Sequence, residues 1–578
     1  MNGYLRKSIL MGLLFSGITC TLMAQSRPVI YQLLPRLFGN KQNNNIPYGT
    51  IAENGSGKFN DIDEKALQGI RELGITDVWY TGVIAHASLT DYSAYGIPKD
   101  DADVVKGRAG SPYAIRDYYD VDPDLATDVN HRMQEFEALI SRTHEQGMKV
   151  LIDFVPNHVA RHYQSQARPD GVQDFGATDD NSKSFSPAND YYYVPGKPFL
   201  TPVTQGPENP LTALQDHYFN EVPAKATGNN VFSQQPKIDD WYETVKLNYG
   251  VDYVNGESKH FDPIPGLWHK MAAILNYWAD KNIDGFRCDM VEMVPVEFWQ
   301  WVIPEVRKNH PDLIFIGEAY NPTVYKDYLL TGHFDYLYDK VGLYDGLKKL
   351  IRNQEDADVK AISKVWQEES KDFGNRMLRF LENHDEERIA SSGFAGNAQH
   401  ALPAMVISAT LSGGPVMVYF GQEVGEPAKG QEGFGGDDNR TTIFDYWGVP
   451  EHQKWMNNGA FDGALLTEEQ RQLRGYYKKL MEVCGQDDAI INGEILEIPL
   501  YEQRAYAFVR YTASRRLLVV ANFGRAQALQ KSVVIPDALR DIKEIQNPTD
   551  LLTGTMVEYH DQELMLNVPP MTAQIIEF

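Results

Sequence analysis

The 578-residue sequence carries 79 acidic against 54 basic side chains, a formal charge of −25, with 43% hydrophobic and 23% charged residues. That size exceeds what one hydrophobic core supports, so two or three domains are expected. The negative field repels polyanions and argues against nucleic acid or an anionic membrane as partner, while a neutral ligand such as a sugar stays open.

The N-terminus has the layout of a secretory signal. Arg6 and Lys7 precede an apolar stretch over 9–18, and Leu22-Met23-Ala24 ends in a small residue before Gln25. Cleavage after Ala24 makes 1–24 a signal peptide and the mature chain an exported one, periplasmic, cell-surface or extracellular. Cys20 offers a lipoprotein route, but Gly17-Ile18-Thr19 before it is a poor lipobox. No later run is long and apolar enough to span a bilayer.

From residue 28 onward, short β-rich runs alternate with amphipathic helical stretches. Strands are predicted over 29–33, 76–80, 149–154, 283–288, 313–317, 334–338, 377–381 and 415–420. Helices are predicted over 64–73, 131–146, 267–281, 296–309, around 347 and 365, and over 400–412. Eight strands interleaved with helices give an α/β fold, a (β/α)8 TIM barrel over 25–156 and 266–484, closed by a helix over 467–483. The rhythm breaks over 157–265, about a hundred residues rich in turn formers; this is too long for a connection and reads as a subdomain inserted after strand 3. Past 484 the helical period gives way to β-rich runs at 505–511, 517–522, 531–535 and 574–578, which predict a C-terminal antiparallel β-sandwich over 485–578. Cys288 and Cys484 read as free core residues.

A barrel enzyme carries its reacting groups at the C-terminal ends of its strands. Strand 3 ends in Asp153-Phe154-Val155-Pro156-Asn157-His158, strand 4 in Gly285-Phe286-Arg287-Cys288-Asp289, strand 5 in Gly317-Glu318-Ala319 and strand 7 in Glu382-Asn383-His384-Asp385. Any one of these is ordinary, since an Asp at a strand end more often caps a helix than catalyses. A ring of them on one face calls for a chemical explanation. Cleavage of an acetal needs one carboxylate under the anomeric carbon and one carboxylic acid at the leaving oxygen, and a gap of about 5 Å between them gives a covalent intermediate. Arg287, two residues before Asp289, points to the same side of the strand and is placed to keep Asp289 ionised.

Taken together these segments resemble the short sequence regions of the α-amylase family (glycoside hydrolase family 13). The resemblance runs from about Val29 to the C-terminus and rests on four motifs in order. It implies Asp289 as nucleophile, Glu318 as acid/base and Asp385 as transition-state stabiliser. It places Arg287, His158 and His384 around the nucleophile and the first bound glucose, and Tyr113, in Tyr113-Ala114-Ile115-Arg116-Asp117-Tyr118, as a residue that stacks on that sugar. Val245-Lys246-Leu247-Asn248 is similar to a further family motif near the end of the insert. The implied activity is retaining hydrolysis of α-glucosidic bonds in starch-like glucans or malto-oligosaccharides, with no cofactor needed for the chemistry. The sequence departs from the family at Tyr80-Thr81-Gly82-Val83 and at Glu292-Met293, where many members have Leu-Thr-Pro and Lys-His. The latter pair helps hold the family's structural calcium, for which Asn157 is the candidate ligand here; tying the strand-3 loop to the barrel is its equal alternative. The same residues also suit transglycosylation or sucrose- or trehalose-type isomerisation. A non-catalytic glucan-binding homologue would have no need of two carboxylates under one bond.

Overall fold

The computed structural model describes residues 27–202, 210–540 and 545–578. The signal segment predicted at 1–24 lies outside these residues. Among the described residues no helix is long and apolar enough to cross a membrane.

Eight strands form one parallel sheet: β1 (Val29–Leu33), β2 (Asp77–Tyr80), β3 (Lys149–Phe154), β4 (Gly285–Cys288), β5 (Ile314–Gly317), β6 (Tyr336–Tyr338), β7 (Met377–Leu378) and β8 (Val416–Tyr419). Their order is β7-β6-β5-β4-β3-β2-β1-β8, and a parallel bridge between Arg379 and Val416 joins the two ends, so the sheet closes into a cylinder. Runs such as Val29-Ile30-Tyr31-Gln32-Leu33 are buried throughout, as strands covered on both faces must be.

The main helices are α1 (Glu64–Arg71), α2 (Arg132–Glu145), α3 (Gly266–Ala279), α4 (Val296–Arg307), α5 (Asp345–Ile351), α6 (Leu402–Thr410) and α7 (Glu468–Gln486). They pack by their 3.6-residue stripe, for example Leu267, Met271, Ile274, Leu275 and Trp278 of α3. α7 begins where Thr467 and Gln470 cap each other: the Thr467 hydroxyl accepts from the Gln470 N–H, and the Gln470 side chain accepts from the Thr467 N–H.

Several segments differ from the sequence expectation, among them an unpredicted strand Ile115–Val121 paired with Ile84–His86 and a helix Pro450–Met456. Between β5 and β6, where no helix is predicted, a π-helical turn at Asp327–Thr331 buries Tyr328 and Leu329. The stretch predicted as one helix over 400–412 is a 3-10 turn (Ala398–Ala401) followed by α6, whose early Pro403 suits a helix start. β7 keeps only its first two predicted residues, because beyond Leu378 its ladder passes from β6 to the start of β8.

The described part of the stretch 157–265 holds short antiparallel pairs, among them His158–Ala160 with Thr244–Lys246 and Tyr193–Val194 with Ala224–Lys225, and a 3-10 turn at Pro210–Leu214. The C-terminal strands are β9 (Glu494–Glu497), β10 (Ala505–Tyr511), β11 (Arg516–Asn522), β12 (Leu529–Val534), β13 (Thr549–Asp550), β14 (Glu558–His560), β15 (Glu563–Val568) and β16 (Thr572–Glu577). They form two antiparallel sheets, β9-β10-β11-β16-β13 and β12-β15-β14. Val509, Leu518, Val520, Leu564 and Leu566 fill the space between them. The alternate residues Tyr506, Phe508, Leu517 and Val519 join the barrel's core, which is why β10 and β11 are buried on both faces. Cys288 and Cys484 are free and buried.

Candidate active site

β3 and β4 pair with Asp153 opposite Arg287. Arg287 is fully buried and central to the cylinder's mouth. Its Nη1 donates to Asp289 Oδ1 at 2.9 Å and to Asp153 Oδ1 at 3.4 Å, and its Nε donates to the Tyr338 hydroxyl at 3.1 Å. Its Nη2 stands 2.6 Å from Glu318 Oε1 as an ion pair. The guanidinium carbon lies 5.3, 5.4 and 5.5 Å from the ring centres of Trp79, Tyr113 and Tyr338. A planar, permanently charged fork thus holds carboxylates from three neighbouring strands within its own span.

Glu318 Oε1 also accepts from the Tyr320 hydroxyl at 2.6 Å, and its Oε2 accepts from the backbone N–H of Met290 at 2.8 Å. Met290 offers that N–H with φ at 43°, a left-handed conformation uncommon for any residue but glycine. Asp289 Oδ2 is buried and has no hydrogen-bond partner among the described residues. Burial, and after it the charge of Glu318, push Asp289 well above the ordinary carboxylate range against the pull of Arg287. Burial raises Asp153 likewise. The expectation that Arg287 keeps Asp289 ionised therefore meets a competing fact: one guanidinium is shared among three carboxylates.

Asp385 sits nearer solvent, with 40% of its side chain exposed. Desolvation opposes its charge, but His384, with Nε2 at 2.9 Å from Asp385 Oδ2, then Arg287 and Arg440, outweigh it and bring Asp385 to about 2. His384 Nδ1 accepts from the Gln32 amide at 2.8 Å, which turns the Nε2–H toward Asp385 and the Tyr113 hydroxyl oxygen at 2.6 Å. Tyr113 donates to Asp153 Oδ1 at 3.2 Å, and its ring stacks on His384 at 5.0 Å. His158 packs against Trp241 at 5.3 Å; burial, then Lys246 and Lys106, lower it to about 3, so the imidazole is neutral at ordinary pH.

All seven side chains singled out for catalysis or substrate binding therefore converge. Tyr113, His158, Asp289, Glu318 and Asp385 line a pocket of about 330 Å³, with Arg287 and His384 beneath them. Sequence reading missed Trp241, Tyr320, Arg440 and Phe444, which complete the walls, and Gln32 and Tyr338, which support the floor. Tyr320 follows Glu318 by two residues, a signal that was readable; the others come from segments remote in sequence. A larger cavity of about 600 Å³ between Trp366 and Arg510 has a single carboxylate on its walls, Asp372, and so lacks an acid–base pair. Trp447 is buried in the core.

Asn157, the candidate calcium ligand, has a different partner. Its Oδ1 accepts from Lys246 Nζ, which donates also to the Met293 carbonyl at 3.0 Å. A calcium ion takes about six to eight oxygens. Here an ammonium stands between the two oxygens, and no group of three or more His, Cys, Asp or Glu among the described residues is placed to hold a metal. With that ammonium between them, the oxygens of Asn157 and Met293 do not fit that ion.

Residues 32–487 match the family model described as "Alpha amylase, catalytic domain". The chain is 23% identical over 527 residues to "Alpha-amylase 3" of Dictyoglomus thermophilum, covering 86% of this chain and 85% of that protein. It is 22% identical to an oligo-1,6-glucosidase of Parageobacillus thermoglucosidasius, covering 86% and 89%. Among solved structures, the α-amylase from Geobacillus thermoleovorans complexed with acarbose superposes with a TM-score of 0.61 at 20% identity, covering 95% of this chain and 98% of that one.

Proposed function

The chain belongs to the α-amylase family of glycoside hydrolases, and on that premise we propose that it hydrolyses α-glucosidic bonds of starch-like glucans or malto-oligosaccharides with retention of configuration, through a glycosyl ester on Asp289. The observation that carries the reading is the shared fork: Arg287 holds Asp289 at 2.9 Å and Glu318 at 2.6 Å, while Asp289 Oδ2 is left buried without a partner.

The chemistry follows from that geometry. Asp289 Oδ2 attacks the anomeric carbon as Glu318 gives its proton to the glycosidic oxygen, so the C–O bond to the leaving sugar breaks as the ester forms. Water then enters, Glu318 takes its proton, and the hydroxide displaces Asp289 from the same carbon. Two inversions return the starting configuration. The buried mouth makes an anionic Asp289 costly in the free protein, and the positive charge that grows on the sugar ring relieves that cost in the transition state. Asp385, held ionised, presents an acceptor to sugar hydroxyls, and His384, its Nε2–H set by Gln32, orients that carboxylate from beneath. Aromatic residues at the rim, Tyr113, Trp241 and Phe444, offer faces to sugar rings.

The resemblance to α-amylases and to an oligo-1,6-glucosidase supports α-1,4 cleavage with α-1,6 cleavage as the second activity. Maltoheptaose, pullulan and sucrose, each incubated with the purified protein, test the reading. Shorter reducing oligosaccharides from the first are expected. Products longer than the substrate would indicate transfer, and no product from any substrate would contradict the assignment. The leader at 1–24 supports export, and a mature protein beginning at Gln25 is the expected result of N-terminal sequencing.

A further inference from the structure

The oxygens around Asn157 converge on a cation that the chain itself supplies. Lys246 is 1% exposed; burial of an ammonium costs several kcal/mol unless polar groups meet it, and here it brings Lys246 down to about 7. It is met by neutral groups: Asn157 Oδ1, the Met293 carbonyl at 3.0 Å and the face of Tyr253 at 5.4 Å. An aromatic face suits an organic ammonium and is no ligand for calcium.

These partners belong to three different parts of the chain. Lys246 ends the strand Thr244–Lys246 of the insert and pairs directly opposite His158. Asn157 leads out of β3 into His158. Met293 closes the turn that begins just after Asp289, and its N–H donates to the Met290 carbonyl at 2.9 Å. Met290 in turn gives its own N–H to Glu318. The ammonium is thus one link behind His158 on one side and one link behind the Asp289–Glu318 pair on the other.

We propose that Lys246 is a tethered cation that takes the structural place of a divalent ion, joining the insert to the loops after β3 and β4, and that it is a positioning residue for the catalytic pair. The proposal rests on the Asp289–Glu318 reading for its second half only. Its first half concerns how the loops are held.

The test uses the full mature chain. Wild type treated with EDTA and dialysed is expected to keep its Tm, and added calcium chloride is expected to leave both Tm and kcat on maltoheptaose unchanged. Lys246→Met, which keeps length and loses charge, is expected to lower Tm. Assayed well below that Tm, its kcat per folded molecule is expected to fall on the order of 10- to 100-fold, with KM much less affected, as for a misplaced catalytic group. Three results overturn the proposal. One is a Tm of wild type that drops with EDTA and returns with calcium. The second is a Lys246→Met protein with normal Tm and kcat. The third, a variant with lowered Tm but normal kcat per folded molecule, removes the positioning role. Should Lys246→Met not accumulate folded, the chelation experiment on wild type still decides the first half. A wild type inactive on every glucan would refute the catalytic reading and leave the Tm comparison standing.

Discussion

The mouth of the barrel and the C-terminal sheets bury polar groups in opposite ways. In the C-terminal region, Arg510 is buried with its donors spread over the carbonyls of Ala489, Leu411, Ile490 and Gly493, and the core between the sheets is Val, Leu and Ile. At the mouth, Asp153, Asp289 and Glu318 crowd one guanidinium, one oxygen of Asp289 is unpartnered, and Met290 takes a left-handed turn. The first arrangement gives each guanidinium nitrogen of Arg510 a carbonyl partner and serves stability. The second is stable only because the surrounding barrel holds it, and its unmet demands are those a sugar in the transition state would meet.

That contrast can be broken at either end. Asp289→Asn is expected to give the largest effect, a loss in kcat on the order of 10⁴-fold or more. Its Tm should be unchanged or higher, because a repelled, desolvated carboxylate is removed; a marked fall in Tm by calorimetry would show that Asp289 is structural instead. Glu318→Gln should cost on the order of 10²- to 10⁴-fold on maltoheptaose. The loss should be much smaller on an aryl maltoside whose leaving group needs no proton, and equal losses on both would remove Glu318 from the acid role. Leu518→Ala, in the core between the C-terminal sheets, should cost about 2–5 kcal/mol of stability by denaturant titration, with kcat of the folded fraction unchanged.

The smallest expected effect concerns pH. Asp289 is raised by burial and by the charge of Glu318, so the acid limb of kcat/KM should lie above the ordinary carboxylate value of about 4. Below that limb the nucleophile is protonated and activity falls. Glu318→Gln removes the largest of the charges that raise it, so in this variant, assayed on the aryl substrate, the limb should move to lower pH. A limb that stays in place would mean that the charge of Glu318 does not set it.

Much of this was legible beforehand, for physical reasons. Strands covered on both faces read as apolar runs, and β1 and β3 begin and end where such runs do. Six of the seven candidate residues stand out because their motifs sit where such a run ends, whereas Tyr113 comes from the family resemblance alone. What escaped was nonlocal or disguised. Gln32 looks like a surface residue interrupting a strand, yet it points inward to His384. Lys246 within a β-rich run reads as solvent-facing, and only the fold shows Asn157 and Met293 closing over it. β13 and β14 are two and three residues long, too short for alternation to register.

The most direct test of the central claim is the configuration of the first product, followed by proton NMR from the moment maltoheptaose meets the enzyme. With Asp289 and Glu318 held by one guanidinium and Asp289 attacking the sugar, the α-anomer should appear first and the β-anomer grow only by mutarotation. Appearance of the β-anomer first would mean that water attacks directly, that no ester forms on Asp289, and that the account of this mouth is wrong.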